Sequence, residues 1–443
     1  MEKKWDDMTP EEKKQQRFRW WLEPDIEFVS QEAKQAFKAR ARRLIDVYQV
    51  KEPDRVPVSL PVGNMPAYLD GTDLHSVMYD YDRLIKAWDR FNREFEMDTF
   101  SSPALVLPGR VYDLLDCKLY QWPGHGLPEN ATGIQFVEGE YMKPDEYDLL
   151  LKNPSDFWQR VYMPRVFGAF ESFRYLQPYT NIIELPAVNF MPYSRPDVQA
   201  TMQRLIDIGQ ALAVWSEVIG NFSRRAMASG FPMVRGAMAK APFDTLGDTL
   251  RGTQGIIMDM YRQPDKLLEA LEVITTLTID AALASANASR GLMVFFPLHK
   301  GADGWMSQKQ FETFYWPSLK KVVNALVNEG VIASLFAEGS YETRLDSVNE
   351  FPRGAVAWMF DKTDMAKAKK ALGDKCCISG NVPTSMLVTG QPAEVKAYCR
   401  KLIETCGKGG GYILSGGANI DNGNPENLRA MMAAAKEYGV YRK

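Results

Sequence analysis

The chain has 443 residues, of which 45% are hydrophobic and 25% charged, and its formal net charge is −3. This balance is typical of a globular protein with a sizeable core, and it excludes the strongly basic surface of a nucleic-acid-binding protein. The first residues, MEKKWDDMTPEEKKQQ, are too polar for a signal peptide. No run of about 18 apolar residues exists that could cross a membrane. We therefore expect a cytoplasmic protein without nucleic-acid or membrane partners.

Cysteine and histidine are sparse in this sequence. Five cysteines at irregular spacing fit reduced thiols in the cytoplasm. The three histidines, His75, His125 and His299, lack metal-site spacing to one another or to a cysteine. A preformed structural zinc site is therefore not expected.

Residues 1–50 are highly charged and have the pattern of helices. Trp20, Trp21 and Leu44 are apolar exceptions, which indicates that this segment docks on another surface. We predict an N-terminal helical extension that packs on the rest of the chain, with an arm that joins two subunits as the alternative.

Strand and helix patterns alternate in the last third of the chain. The predicted strands cover 291–298, 330–336, 354–360, 375–382 and 411–417. A helical pattern follows each of them, as in the apolar positions Phe311, Phe314, Leu319 and Val322. This alternation predicts a parallel sheet covered by helices.

Three further strands are predicted upstream, at 55–63, 98–107 and 231–238. Eight parallel strands with covering helices predict an α/β fold of the (β/α)8 barrel type over residues 51–443. An insertion at about 108–200 separates the early strands, and its segments CKLYQW and GIQFVEGEYM have the pattern of an antiparallel pair. A doubly wound sheet is less favoured, because no early strand is followed by G-x-G-x-x-G.

In such barrels the functional site lies at the carboxyl ends of the strands. Several polar side chains occupy those positions, and each of them could instead cap a turn or a helix. The rule selects Asn64, Met65, Tyr68, Arg235, Lys240, His299, Asp303, Glu338, Asp361, Asn381 and Asn419.

Three stretches resemble the uroporphyrinogen decarboxylase superfamily: DGWMSQKQFETFYWPSLKKVV, ISGNVPTSMLVTGQPAEVKAYCRKLI and GGGYILSGGANIDNGNPENLRAMMAAAKEYG. RVPVSLPVG also resembles the first strand of that superfamily, so the similarity covers residues 50–105 and 225–443. The superfamily includes the decarboxylase of haem synthesis and corrinoid-dependent methyltransferases. The resemblance implies a (β/α)8 barrel, which agrees with the strand count.

The chain departs from the decarboxylase pattern in two loops. Where the decarboxylases carry the arginine-rich R-Q-A-G-R-Y, this chain reads VGNMPAYLDG, so bidentate partners for the substrate's carboxylates are missing. Where they carry a histidine in G-H-G, it reads GGANID. Both departures argue against porphyrinogen decarboxylation, unless Arg235, Lys240 and Arg251 bind the carboxylates from another face.

The chain also departs from the thiol-activating methyltransferases. Their zinc ligands in H-x-C-G and G-C correspond here to Phe336, Glu338 and Ala418, so a thiolate zinc site is lost. Glu338 keeps the place of one ligand. We expect it to be an acid/base group, or with His299 a ligand of an oxygen-rich divalent metal site that Asp303 or Asp361 completes.

The resemblance and these departures predict a corrinoid-dependent methyl or small-alkyl transferase that acts on a non-thiol substrate, with the corrinoid (cobalamin) carried by a partner protein. The alternatives are a tetrapyrrole decarboxylase and a non-catalytic tetrapyrrole-binding subunit. The decarboxylase side of the superfamily implies a homodimer. The expected catalytic residues are Glu338, His299, Asp303 and Asp361, and the expected substrate-binding residues are Asn64, Met65, Tyr68, Arg235, Asn381 and Asn419.

Overall fold

The computed structural model describes residues 3–182, 184, 187–233 and 236–441. The strands in these ranges are β1 Val58–Ser59, β2 Tyr120–Pro123, β3 Gly126–Leu127, β4 Gln135–Phe136, β5 Ala237–Met238, β6 Met293–Leu298, β7 Ile332–Ala337, β8 Val356–Phe360, β9 Cys377–Val382 and β10 Tyr412–Gly416.

The α-helices are Pro10–Leu22, Gln31–Tyr48, Met65–Leu69, Leu74–Tyr79, Tyr81–Glu94, Gly109–Leu115, Tyr147–Lys152, Pro154–Phe157, Met163–Val166, Pro196–Ala228, Pro242–Asp244, Gly252–Arg262, Pro264–Ala288, Gln308–Gln310, Trp316–Asn328, Met365–Leu372, Thr384–Thr389, Pro392–Cys406 and Pro425–Tyr438. Turns of π-helix cover Trp158–Tyr162, Thr245–Arg251 and Phe311–Tyr315. Turns of 3-10 helix cover Trp5–Asp7, Pro103–Leu105, Gly168–Tyr175, Tyr179–Asn181, Ala187–Ser194 and Glu342–Arg344.

Seven strands form one curled parallel sheet in the order β1-β10-β9-β8-β7-β6-β5. Strands that follow one another in the chain from β5 to β10 are neighbours, and the first strand pairs with the last. This is the arrangement of a (β/α)8 barrel, as predicted. The helix predicted after β7 is reduced to the single turn Glu342–Arg344, because buried Arg344 bonds the carbonyl groups of Gly301 and Met306 across the loop.

The strand predicted at 98–107 is wrong. This stretch contains the 3-10 turn Pro103–Leu105 and no strand. The buried carboxylate of Asp98 accepts the backbone N–H of Val58 in β1 at 2.9 Å. The Asp98 side chain thus accepts the Val58 N–H, which would otherwise pair with a carbonyl group of a neighbouring strand.

Arg40 bridges the same gap in the sheet. Its Nε donates to the carbonyl oxygen of Met97 at 3.2 Å, and its Nη1 donates to that of Gly230, ahead of β5, at 2.8 Å. The guanidinium therefore satisfies backbone acceptors that strand pairing would satisfy in a complete ladder.

The two N-terminal helices, Pro10–Leu22 and Gln31–Tyr48, cover the amino-terminal end of the barrel. Buried Arg17 donates to the carbonyl oxygens of Gly291 and Glu329, next to the starts of β6 and β7. Apolar side chains of the two helices form one buried cluster with residues near the starts of the strands. The cluster contains Phe18, Leu44, Ile45, Val47 and Tyr48 from the helices and Leu292, Met293, Ile332, Ala357, Cys377 and Ile413 from the barrel. These contacts close the amino-terminal end of the barrel. The predicted domain boundary at residue 50 stays a prediction.

The insertion contains the predicted antiparallel pair, in which Tyr120 of β2 lies opposite Phe136 of β4. On one side of this hairpin, the Thr132 carbonyl oxygen lies 3.5 Å from Asn64 Nδ2 after β1. On the other side, Glu138 accepts the backbone N–H of Thr253. The hairpin therefore lies at the carboxyl ends of the strands. Among the residues that the structure describes, no helix has the length and apolar character that a membrane crossing demands.

Candidate active site at the carboxyl ends of the strands

His299 and Glu338 meet where β6 and β7 end. His299 Nε2 lies 3.7 Å from Glu338 Oε1, and His299 Nδ1 lies 2.5 Å from Asp248 Oδ2. The side chains of His299 and Glu338 are 34% and 42% exposed, so solvent and small molecules reach both. The three residues form a row in which Asp248 orients the imidazole and Glu338 faces its free edge.

Asp248 and Asp244 were not predicted from the sequence. Both lie on the helical segment that follows β5, four residues apart and therefore on one face. Asp244 is fully buried and accepts the backbone N–H groups of His299 and Lys300 and the hydroxyl of Tyr315. The D-x-x-x-D spacing of Asp244 and Asp248, shortly after the strand predicted at 231–238, is the sequence pattern that would have indicated them.

The charges of this cluster shift its proton equilibria. Burial raises the pKa of Glu338, and the negative charges of Asp244, Asp361 and Asp248 raise it further against the opposing effect of His299. Burial alone would lower the pKa of His299, but its hydrogen bond and attraction to Asp248 outweigh that effect and raise it. Burial and the charge of Asp248 raise the pKa of Asp244 to about 6. The site therefore combines an imidazole and a carboxyl group that both retain a proton more readily than usual.

Two lysines complete the surroundings of Asp248. Lys300 Nζ lies 3.0 Å from Asp248 Oδ1 and donates to Thr253 Oγ1 at 2.9 Å. Lys240 Nζ lies 3.0 Å from Asp248 Oδ2. Burial works against the charge of Asp248, but His299 and both lysines hold its pKa well below the usual range. Asp248 thus stays ionised and keeps the imidazole in position.

Asp303, Asp361 and Asn381 contact the loops around this row. Asp303 accepts hydrogen bonds from the hydroxyls of Ser340 and Thr343, and so joins the loops after β6 and β7. Asp361 accepts the backbone N–H of Gly339 at 3.1 Å, directly after Glu338. Buried Asn381 donates to the carbonyl oxygens of Asp361 and Thr363. The catalytic roles of Asp303 and Asp361 and the substrate-binding role of Asn381 stay predictions.

Four further predicted residues, Asn64, Met65, Tyr68 and Asn419, lie next to β1 and β10 at one end of the strand order. Met65 is a buried core residue, and its predicted contact with substrate stays a prediction. The Asn64 backbone N–H donates to Asp421 Oδ1, Tyr68 packs half-buried against the helices after β1, and Asn419 is exposed. Arg235 lies outside the described residues.

The described side chains around His299 offer few free donor atoms for a metal ion. Within the described ranges, no group of three or more histidine, cysteine, aspartate or glutamate side chains is arranged to hold a metal ion. Glu338 offers its carboxylate and His299 offers only Nε2, because Nδ1 of His299 is engaged by Asp248. A divalent metal held by Glu338 and His299 stays a prediction.

We expect Asp248→Asn to lower the pKa of His299, because the hydrogen bond and the attraction to Asp248 are lost while burial remains. Histidine-selective NMR titration measures this directly. The signals of His75 and His125, which contact Tyr79 and Trp122 instead, are internal controls. An unchanged His299 titration would contradict the pairing.

The same pair predicts a pH dependence of stability. The folded chain holds the His299 proton more tightly than the unfolded chain, so this contribution to the free energy of unfolding is complete below pH 6.5. It is lost as the pH rises through the higher folded-state pKa. Chemical denaturation between pH 6 and 9 should show a smaller decline in Asp248→Asn than in the wild type.

The parallel barrel and the Asp248–His299–Glu338 row place this chain among the (β/α)8-barrel proteins whose candidate site lies at the carboxyl ends of the strands. The chain belongs to the uroporphyrinogen decarboxylase family, whose sequence model matches residues 192–438. This superfamily is enzymatic.

Curated relatives agree with this assignment, and a solved structure shares the fold. Proteins named uroporphyrinogen decarboxylase are 25% identical over 182 residues in Coxiella burnetii, covering 41% of this chain and 50% of the relative, and 27% identical over 187 residues in Chlorobaculum parvum, covering 40% and 51%. The chain spans about half the length of these relatives. A methyltransferase from Methanosarcina mazei superposes with a TM-score of 0.56 and 15% identity, over 91% of this chain and 98% of the other. At this identity the likeness shows the shared fold.

Proposed function

We propose that this protein is a corrinoid-dependent methyl or small-alkyl transferase that acts on a non-thiol substrate, with the corrinoid carried by a partner protein. The observation that carries the proposal is the Asp248–His299–Glu338 row at the strand ends. When a methyl group is transferred from oxygen or nitrogen, the heteroatom is a poor leaving group. It needs a proton from a positioned acid. Glu338 is the acid of the row that faces solvent.

Each residue has a separate task in this scheme. Asp248 holds His299 in one orientation and favours its protonated form, and the imidazole in turn faces Glu338. The corrinoid, when bound, supplies the nucleophile that takes the methyl group. The bond from the methyl carbon to its heteroatom breaks, the electron pair stays on the heteroatom, and the proton of Glu338 neutralises it.

The surface around the strand ends suits a large flat partner group. Ile134 and Phe136 in the hairpin of the insertion are 39% and 38% exposed, and Met238 at the end of β5 is 66% exposed. Exposed apolar side chains of this size mark surfaces that bind ligands or partners. They support docking of a corrin face at this end of the barrel.

Tetrapyrrole decarboxylation is the second candidate, favoured by the names of the curated relatives. Of the three side chains expected to bind substrate carboxylates, Arg251 and Lys240 are engaged elsewhere, and Arg235 lies outside the described residues. Arg251 is only 2% exposed and bonds Asp259 and Glu140, while Lys240 pairs with Asp248. A non-catalytic tetrapyrrole-binding subunit stays a third prediction.

An anaerobic spectral titration with cob(I)alamin and methylcobalamin tests the proposal. We expect a saturable change of the corrin bands, and methyl transfer when methyl ethers and methylamines are supplied. No spectral change at any concentration would contradict the proposal. Turnover of uroporphyrinogen in a parallel assay would favour the second candidate.

A further inference from the structure

Lys300 is a buried lysine beside the Asp248–His299–Glu338 row, and its side chain is 7% exposed. Its Nζ lies 3.0 Å from Asp248 Oδ1, donates to Thr253 Oγ1 at 2.9 Å and lies 5.3 Å from the ring centroid of Trp305. A buried ammonium group is costly unless such partners compensate for the lost water. Lys300 thus occupies the oxygen of Asp248 that does not face His299.

The helical turn that carries Asp248 leaves space for the lysine. A Cβ atom on Gly247 in this turn would lie 2.7 Å from Cε and 2.8 Å from Cδ of Lys300. Glycine is less favourable than alanine in a helical segment. The glycine is explained here by the aliphatic part of Lys300, which crosses the turn next to Asp248.

Residues 137–142, which follow β4 in the insertion, form a strap against the same turn. The Met142 N–H donates to the Leu250 carbonyl oxygen at 2.7 Å. At the end of the turn, Gly252 has a φ of +68°, and a Cβ atom there would lie 3.1 Å from the Gly139 carbonyl oxygen. The backbone of the strap therefore packs directly on the segment that presents Asp248.

Glu138 of this strap faces Lys300. The Thr253 N–H donates to Glu138 Oε1 at 2.5 Å, while the Thr253 hydroxyl accepts from Lys300. Glu138 Oε1 itself lies 3.9 Å from Lys300 Nζ. Glu138 thus fixes one acceptor of the ammonium group and adds a negative charge beside it. Lys300 is held between the carboxylates of Glu138 and Asp248.

We propose that the insertion supplies a positioning residue to the active site: Glu138 holds Lys300, and Lys300 fixes Asp248 against His299. This inference rests on the proposed function, because it assigns two positioning residues to the same reaction. Both act through Asp248, whose orientation sets that of the imidazole. The hairpin of the insertion is thereby joined to the row by charged contacts as well as by backbone packing.

The ammonium group of Lys300 reports on this arrangement in the absence of any reaction. In the full-length protein with isotope-labelled lysine, NMR detects a lysine ammonium group where hydrogen bonds and burial slow the exchange of its protons with water. Lys300→Arg removes the signal of Lys300 and so assigns it. Absence of a protected Lys300 signal in the wild type would contradict the inference.

Glu138→Gln is expected to shift or broaden the Lys300 signal. Glutamine keeps an acceptor for the Thr253 N–H and removes only the charge beside the ammonium group. Glu140→Gln is the matched control on the same strap, because Glu140 pairs with Arg251 and Lys143, and it should leave the signal unchanged. A Glu138 that only caps the helix at Thr253 would also leave the signal unchanged, and that result would overturn the inference.

The same variants separate positioning from substrate binding. We expect Glu138→Gln to lower kcat of methyl transfer by a factor on the order of ten, with little change in KM of the methyl donor, because displaced catalytic groups slow the reaction step itself. Lys300→Met should lower kcat at least as much, and Glu140→Gln should keep the wild-type value. Equal kcat values of Glu138→Gln and Glu140→Gln would overturn the inference.

The two readouts distinguish this inference from the proposed function. A changed Lys300 signal in Glu138→Gln, combined with no methyl transfer by the wild type, would contradict the proposed function and support the contact between Glu138 and Lys300. Methyl transfer at the wild-type rate in Glu138→Gln would support the function and overturn the positioning role.

Discussion

Glu338→Gln is expected to lower the rate of methyl transfer by a factor on the order of 10² to 10⁴, the range associated with loss of a general acid. Glutamine keeps the shape of the side chain but has no proton to give to a departing oxygen or nitrogen. Corrinoid binding should persist, because the substitution changes neither the exposed apolar surface nor the fold. The rate is measured with the methyl donor that supports transfer in the wild-type protein.

Glu342→Gln is the matched control for this substitution. Glu342 lies four residues further along the chain and pairs with Lys367 at the surface, so we expect a nearly unchanged rate. A Glu338→Gln protein that keeps more than a tenth of the wild-type rate would exclude Glu338 as the proton donor. Loss of the pH dependence of transfer in Glu338→Gln would instead support that role.

Asp98→Ala is expected to reduce the free energy of unfolding by roughly 3–5 kcal/mol, as for other buried ion pairs that lose one partner. Asp98 is 1% exposed and contacts Arg43 and Arg55, and it also accepts the backbone N–H of Val58. Its removal leaves two guanidinium groups and the donor of β1 without this acceptor. Urea denaturation of both proteins measures the difference.

Asp54→Ala separates burial from charge in this experiment. Asp54 pairs with the same Arg43, but its side chain is 63% exposed. We expect a loss of about 1 kcal/mol or less, because solvent screens an exposed pair. Equal effects of Asp54→Ala and Asp98→Ala would show that Asp98 does not substitute for strand pairing beside β1.

The five strands predicted in the last third of the chain agree with the structure. The apolar runs at 291–298, 330–336, 354–360, 375–382 and 411–417 became β6 to β10, because buried parallel strands are the lowest-energy arrangement for such runs between helices. The rule that sites lie at the carboxyl ends of strands selected His299 and Glu338, which the barrel brings to 3.7 Å from each other. Their catalytic role stays a prediction.

Other features depend on contacts that no local pattern records. The run at 98–107 is apolar enough for a strand, yet Asp98 and Arg40 satisfy the backbone groups beside it. Met65 follows β1 as a site residue would, but its side chain turns into the core.

The sequence by itself determined the barrel fold, the family and the positions of His299 and Glu338 at the ends of two strands. Strand periodicity and the order of elements can be read along the chain. Only the tertiary structure decided what surrounds those ends. Asp248 reaches His299 from a helical segment 51 residues away in the chain, and it shifts the proton equilibrium of the imidazole. Proton affinity and accessibility depend on distances in space, which spacing along the chain does not specify.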